Sequence, residues 1–504
     1  MNPSHFDARR RALIRRGLAG GSALLLPPWL AGCGNSPQVA GMPITTPTAP
    51  PVPPAVPSPV PVPVVIAPKF APRGRHVSWT GDIYTSRTVT WFTDGSEAPA
   101  QTLEYGPVLS GMSAADIANA PFTEKVTATT TTTPFVDALT HKATADQFDE
   151  ALPIRYRVGS AEGYSPVAVL KPTPRGAFRF THFGDHGRTA GSRAVARAIR
   201  ARQPDFTLLA GDLCYASGSS DLGPQEVWDD WFNQIDADIG SDTIWMTAPG
   251  NHENEGNNGI AYRNRLATPK SSTSPDGTFY TFDYGNVHFV ISTGGAFATD
   301  GTLAQEIAFL ESDLAAASVR RAAGLIDFIV VCQHFTIWTD QEGRGPANPT
   351  LVALQEGIFV RFGVDLLAVG HDHIYQRSAP MAYGQRNPLG YVQVTSGCGG
   401  VGIRGFEPTI QGWSEKHLAQ LLFVEYAVNG ASMTATTYGV DEASGLTSVV
   451  DEFSIVRRPG AAANLAVQPV RELALLGKHI DGDFDRLARR TAARNRLLCQ
   501  SHHA

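Results

Sequence analysis

The chain is 504 residues long, too long for one ordinary hydrophobic core, so two or more domains are expected. Hydrophobic residues make up 42% and charged residues only 17%, with Ser, Thr, Gly and Pro filling the difference, a balance that suits an exported protein. A formal net charge of −6 gives no support to a nucleic-acid partner, which would favour a basic surface.

Residues 1–33 read as an export signal. Arg9, Arg10, Arg11, Arg15 and Arg16 form a basic start, and the apolar stretch after them is too short to span a bilayer as a mature helix. RRALIR, Arg10 to Arg15, resembles a twin-arginine export signal. LAGC, Leu30 to Cys33, resembles a bacterial lipoprotein box, in which the cysteine is lipidated and becomes the mature N-terminus. The expected location is therefore periplasmic or at the cell surface, with a membrane anchor through lipid on Cys33. A basic-apolar leader with an incidental cysteine is the plainer alternative. Residues 34–74 are a linker whose Pro, Val, Thr and Ala favour an extended polyproline spacer. The other cysteines, Cys214, Cys332, Cys398 and Cys499, show no CxxC pairing, and Cys332 and Cys398 are expected to be buried as small apolar residues, although export permits a disulfide.

Residues 75–171 carry a period of two. RTVTWFTD alternates Val89 and Trp91 against Thr88 and Thr90, and PIRYRVG alternates Ile154, Tyr156 and Val158 against Arg155 and Arg157. The pattern predicts a small antiparallel β-sandwich. With no cluster of acids, histidines or cysteines, it is expected to support or dock rather than react.

Residues 172–459 alternate apolar strands with helical stretches, as in an α/β domain whose sheet layers are flanked by helices. FRFTHF runs into GDHG, and SRAVARAIRARQ then predicts a helix. DFTLLA runs into GDLCY, followed by the helical PQEVWDDWFNQI, and TIWMTAP runs into GNHE. LIDFIVVCQH and VDLLAVGHDH repeat the form, so that reactive side chains gather at strand ends. AQLLFVEYAVNG and ASMTATTYGV predict a hairpin that completes a sheet. Residues 460–504 are a basic tail, helical from about 471, expected to dock on the protein or to lie on an anionic membrane surface.

Each strand end has a bland reading taken alone. Asp185 can cap a helix or shape a turn, Tyr215 can be half-buried packing, Asn251-His252 can be a polar turn, and His334 can be a satisfied core histidine. His371 and His373 are sharper, since an i, i+2 pair on an extended segment points both imidazoles the same way, as a metal site needs. A structural account of all five strand ends requires five unrelated coincidences.

The ordered blocks GDHG (184–187), GDLCY (211–215), GNHE (250–253), the strand-closing His334 and GHDHIYQR (370–377) resemble the purple acid phosphatase family of binuclear metallophosphoesterases. The tyrosine three residues after Asp212 separates this family from its relatives. The preceding sandwich looks like the fibronectin-III-like domain of larger members. The resemblance assigns Asp185, Asp212, Tyr215 and His373 to one metal ion, and Asp212, Asn251, His334 and His371 to the other, with Asp212 bridging. Two carboxylates and a potential phenolate suit a trivalent ion, while an amide and two imidazoles beside the shared carboxylate suit a divalent one. The implied cofactors are Fe(III) with Zn, Mn or Fe(II).

The implied activity is that of an acid phosphatase, with a hydroxide activated by the metals attacking a phosphate monoester directly. His252 then contacts phosphate and protonates the leaving group, or only orients its neighbours. Many members have a further histidine nine or ten residues beyond the strand-end ligand. This chain has none there, and Arg344 is the nearest cation, expected to bind phosphate; an arginine facing solvent from a mobile loop is the alternative. The partner expected is a small phosphate ester. A phosphodiesterase acting on nucleotides or lipid headgroups is the runner-up, and a non-catalytic surface-binding protein with a vestigial site stands behind both.

Overall fold

The computed structural model describes residues 70–216, 224–254, 259–297 and 302–457. The export signal with Cys33, nearly all of the linker, and the basic tail with Cys499 lie outside the described residues.

The first domain is two antiparallel sheets over a shared core. One has the strand order Arg73–Ser78, Arg87–Asp94, Ala138–Ala145, Thr129–Thr132. The other runs Glu124–Thr127, Thr102–Pro107, Ile154–Ser160, Gly163–Tyr164, with Ala168–Leu170 also paired to Ile154–Ser160. Val89, Trp91, Leu103, Tyr156 and Val158 fill the core between them, as the period of two predicts. The opposite face of Arg87–Asp94 is not left to water, because every residue of that strand up to Thr93 is buried. Phe92 packs on Phe232 of the helix Pro224–Ile235 with ring centroids 5.0 Å apart, and His76 stacks on the same ring at 4.5 Å. The second domain thus covers this sheet.

The second domain stacks two larger sheets. In the first, Trp245–Ala248, Phe206–Ala210 and Phe178–Phe183 are parallel neighbours. The predicted hairpin Leu422–Asn429 and Ser432–Val440 continues this sheet antiparallel from Phe178–Phe183, and Thr447–Val456 closes it. In the second sheet, Val287–Ile291, Phe328–Gln333, Leu366–Val369 and Val392–Ser396 are parallel neighbours. Strands buried on both faces require near-continuous apolar sequence, and FTLLA and FIVVCQ are buried throughout. Between the sheets, Phe180 meets Phe289 edge-on at 5.2 Å and Phe206 meets Phe282 edge-on at 5.6 Å. Each such ring contributes about 1.5–3 kcal/mol by leaving water.

Helices cover the outer faces. Ala190–Arg202 starts at Thr189, whose side chain accepts from the Ser192 amide, and buries Val195 and Ile199 beside Trp228 and Trp231 of Pro224–Ile235. On the far side Leu310 and Leu314 of Thr302–Ala322 pack with Phe359 of Gly357–Phe362. Cys332 and Cys398 are buried free thiols within the apolar core, and Cys214 is buried likewise.

Five parallel strands, three from one sheet and two from the other, therefore end on the same rim. The chain leaves four of them through a glycine-led turn, and Phe328–Gln333 passes directly into His334. This is where side chains from distant parts of the sequence meet.

Candidate metal centre

The backbone at the rim is strained. Among the described residues, eight non-glycine residues have positive φ, and four of them are Asp185, Asp212, Tyr215 and His371, between 51° and 67°. Such conformations are costly for these residue types and persist only where the surroundings impose them. The glycine before a site residue has a separate reason. A Cβ on Gly250 would lie 2.1 Å from Asp212 Oδ1, and one on Gly370 would lie 2.7 Å from Asp185 Oδ2. The turns must pass so close to the carboxylates that no side chain fits.

The side chains fall into two groups. In the first, Tyr215 Oη lies 2.9 Å from Asp185 Oδ1 and 3.1 Å from His373 Nε2, which is itself 3.3 Å from Asp185 Oδ1. His373 Nδ1 donates to the Gly402 carbonyl at 2.8 Å, leaving Nε2 to face the acid and the phenol. In the second, His334 Nε2 lies 3.2 Å from Asp212 Oδ2, 3.2 Å from Asn251 Oδ1 and 3.1 Å from His371 Nδ1. His334 Nδ1 donates to the Ala210 carbonyl at 2.7 Å, which fixes Nε2 toward the group. The Asp185 carboxylate joins the two by accepting from the His371 amide at 2.7 Å.

Electrostatics makes this a place for cations. Burial opposes the Asp212 charge, but His334 and His252 outweigh it and hold the carboxyl below its usual range. Burial would likewise keep His334 neutral, yet Asp212 pushes it up to about 9. His373 is raised against its burial by Asp185, with Asp212 adding to the effect. The buried carboxylates thus favour positive charge at this rim. Asp212, His334 and His371 each offer a ligand atom, all within 4.8 Å of one another. The donor chemistry fits two ions of different charge: carboxylates, phenol and imidazole on one flank, amide and imidazoles on the other.

One local expectation is corrected. His371 and His373 do not lie on an extended segment: residues 371–374 are bent, His371 has φ of 67°, and the Asp372 amide bonds back to the Gly370 carbonyl. The bend turns the two rings to different groups rather than side by side. It does so because His371 must reach His334 while His373 reaches Tyr215.

His252 leads into the site from the short helix Asn251–Asn254, with its ring 4.5 Å from that of Tyr215 and Nε2 3.7 Å from Asp212 Oδ2. Arg344 does not face solvent, since its side chain is only 9% exposed. Its Nη1 lies 2.6 Å from His371 Nε2, and its Nε lies 2.7 Å from Asp372 Oδ1 at an angle too bent for a hydrogen bond. The loop is also tied down: the Glu342 amide bonds to Gly405, and the Gly343 amide to the Glu407 carboxylate.

Two residues at the site escaped the motif reading, Glu253 and Asp372, although both stand inside the quoted blocks. Glu253 is buried and accepts from the amides of Asp212 and Gly250 at 2.7 Å and of Leu213 at 2.8 Å. It therefore clamps the Asp212 turn to the Asn251 turn. Burial and the Asp212 charge push its carboxyl up to about 8. The signal available was the acid closing GNHE, which no ligand role required.

Residues 178–375 match the calcineurin-like phosphoesterase family. An uncharacterised protein of Mycobacterium tuberculosis is 33% identical over 248 residues, covering 43% of this chain and 46% of the relative, so the chain spans about half of that relative's length. Acid phosphatase type 7 of Homo sapiens is 27% identical over 377 residues, covering 66% of this chain and 79% of the relative. Purple acid phosphatase 18 of Arabidopsis thaliana is 25% identical over 337 residues, covering 65% and 71%. The fold is shared with a solved purple acid phosphatase from yellow lupin seeds, at a TM-score of 0.63 and 21% identity, covering 79% of this chain and 76% of that one.

The clamp is open to test. Glu253→Gln keeps the size but replaces one acceptor oxygen with a donor, leaving a buried amide facing an NH₂ group. The expected loss of stability is about 1–3 kcal/mol, together with weaker metal retention. Denaturant unfolding of the purified variant checks the first, and metal analysis after dialysis checks the second.

Proposed function

We propose that this chain, a metallophosphoesterase related to the purple acid phosphatases, hydrolyses phosphate monoesters with a pair of metal ions. The observation that carries the reading is the pairing of unlike donor groups around Asp185 and Asp212. Asp185, Asp212, Tyr215 and His373 would hold Fe(III), and Asp212, Asn251, His334 and His371 would hold Zn, Mn or Fe(II). Such a pair supplies acidified water and charge neutralisation at the phosphoryl oxygens.

The chain's own residues do the rest. Tyr215 presents a phenol oxygen beside a carboxylate, a position in which only a strongly acidic cation would favour its anion. His334 and His373 have Nδ1 committed to carbonyls, so neither can pass a proton between two sites. Protonation of the leaving alkoxide falls to His252, beside Asp212 and Tyr215. Arg344 stays charged at any working pH, so its part is to bind the phosphate rather than to donate a proton.

The finer assignments belong to the same proposal. The sandwich of residues 75–171 would be fibronectin-III-like. The chain would be exported through the twin-arginine route and anchored by lipid on Cys33. The mass of the mature N-terminal peptide decides the anchor, and a start downstream of residue 33 refutes it.

Metal analysis combined with a panel of mono- and diesters is the central experiment. The oxidised protein is expected to contain iron, to show a visible tyrosinate band that Tyr215→Phe bleaches, and to favour monoesters. An active, colourless enzyme with two zinc ions overturns the Fe(III) assignment, and preference for diesters installs the phosphodiesterase reading. His252→Ala is expected to keep both metals and lose roughly 10²–10⁴-fold in rate, with a smaller loss for nitrophenyl esters, whose leaving group hardly needs a proton. An equal loss on alkyl and nitrophenyl esters assigns His252 to phosphate positioning instead.

A further inference from the structure

Arg344 is held in an unusual way for a residue on a glycine-flanked loop. Its Nε edge rests on Asp372, a fully buried carboxylate whose other oxygen accepts from Thr336 Oγ1 at 2.7 Å. Its Nη1 donates to His371 Nε2 at 2.6 Å. Its Nη2 makes no hydrogen bond to a described residue. One guanidinium thus carries an anchored edge, an edge spent on a histidine, and an unspent donor.

The contact with His371 is in conflict with the role proposed for that ring. A guanidinium only donates, so Nε2 must accept. A neutral imidazole that binds a cation through Nδ1 carries its proton on Nε2, and two donors then face each other at 2.6 Å. Arg344 also brings a full positive charge to the ring that would receive the ion. Metal at His371 and Nη1 on Nε2 therefore exclude one another. When Nη1 leaves, Asp372 still holds Nε, so the group pivots instead of escaping into solvent. The pivot presents Nη1 and Nη2 together, a fork that matches two oxygens of a phosphate.

We propose that Asp372 is a positioning residue that hinges Arg344 between His371 and a phosphate oxyanion, so that Arg344 opposes divalent-metal capture in the empty site and strengthens phosphate binding in the loaded one. The inference rests on the metallophosphoesterase reading, and it adds to that reading a partner for Arg344 and an antagonism with metal. The ligand class is a phosphate group with at least two unesterified oxygens, whether inorganic phosphate or a monoester. A diester offers the fork less charge.

The test uses the full chain and needs no turnover. Zn(II) affinity of the metal-stripped protein is measured against a competing chelator without phosphate, and inorganic phosphate affinity of the metal-loaded protein is measured by calorimetry. Arg344→Ala is expected to move the two in opposite directions: zinc tighter by about 3–10-fold and phosphate weaker by about 10–100-fold, the scale of a lost charge-assisted contact. A merely structural Arg344 weakens both, and that result overturns the proposal, as does an unchanged value of either. Asp372→Asn is expected to weaken phosphate by about 3–10-fold with the zinc affinity no weaker than the parent's. A folded Asp372→Asn protein matching the parent in both affinities removes Asp372 from the mechanism. Should that buried variant fail to fold, Arg344→Ala carries the decision on the antagonism and Arg344→Lys decides the fork, because a point charge without the Nε edge is expected to lose most of the phosphate affinity. Absence of hydrolysis on every ester tried defeats the phosphatase reading while leaving both affinities measurable. Hydrolysis with unaltered affinities in Arg344→Ala defeats this inference alone.

Discussion

A carboxylate that must stay ionised where there is almost no water is the constraint on which the rest of the rim depends. Asp212 is only 2% exposed. Burial in a medium of low dielectric works against its charge, and only nearby donors and cations can offset that. The His252 amide meets one oxygen at 3.0 Å, and the His334 ring lies 3.2 Å from the other. Bringing those groups in requires three sharp turns from two sheets to pass within contact of each other. The left-handed backbone at Asp212 and the bare Cα of Gly250 follow from that crowding.

Three buried carboxylates, Asp185, Asp212 and Glu253, share this small volume, and they are kept apart by role. Glu253 receives three backbone amides and has its carboxyl raised to about 8 by burial and by Asp212, whereas the Asp212 carboxyl is held below its usual range. Asp212 keeps its charge. The hydrogen bonds that Glu253 accepts are to backbone, so it shapes the turns, whereas Asp185 and Asp212 turn their oxygens to imidazole and phenol. Identical chemistry at three positions thus does two different jobs, set by what each carboxylate faces.

Much of this was legible in the chain. Strands buried on both faces have to be apolar throughout, and the residues that break such runs stand out, which is why Asp185, Asp212, Asn251, His334 and His371 could be read one by one. The glycine before four of them recorded a close backbone approach before any contact was known. What could not be read depends on partners far apart in sequence. Glu253 has its role only because residue 212 lies against it, and Asp372 only because the loop at 344 returns to it. The covering of the threonine face of Arg87–Asp94 depends on Phe232, which is remote in sequence, so a period of two could not show that both faces of this strand are buried. The bend at His371 was hidden for a related reason. Its positive φ is imposed by the Asp185 carboxylate gripping the His371 amide, a contact across 186 residues.

An arginine near the imidazoles changes the economy of protons at the site. An imidazole at that place could bind an anion and also exchange a proton with it, whereas a guanidinium can do only the first. On the roles proposed for Arg344 and His252, proton transfer would be separated from anion binding and concentrated on the side of the site where His252 stands beside Tyr215 and Asp212. In the proposed arrangement Asp372 would restrain the guanidinium, which lies against His371 and would otherwise be free to compete with a cation for that ring. Held at Nε, Arg344 would withdraw only as far as its anchor allows and, as proposed, stay within reach of a bound phosphate. On that proposal, a buried acid placed between two histidines of one motif is what would allow an arginine to stand beside a metal site.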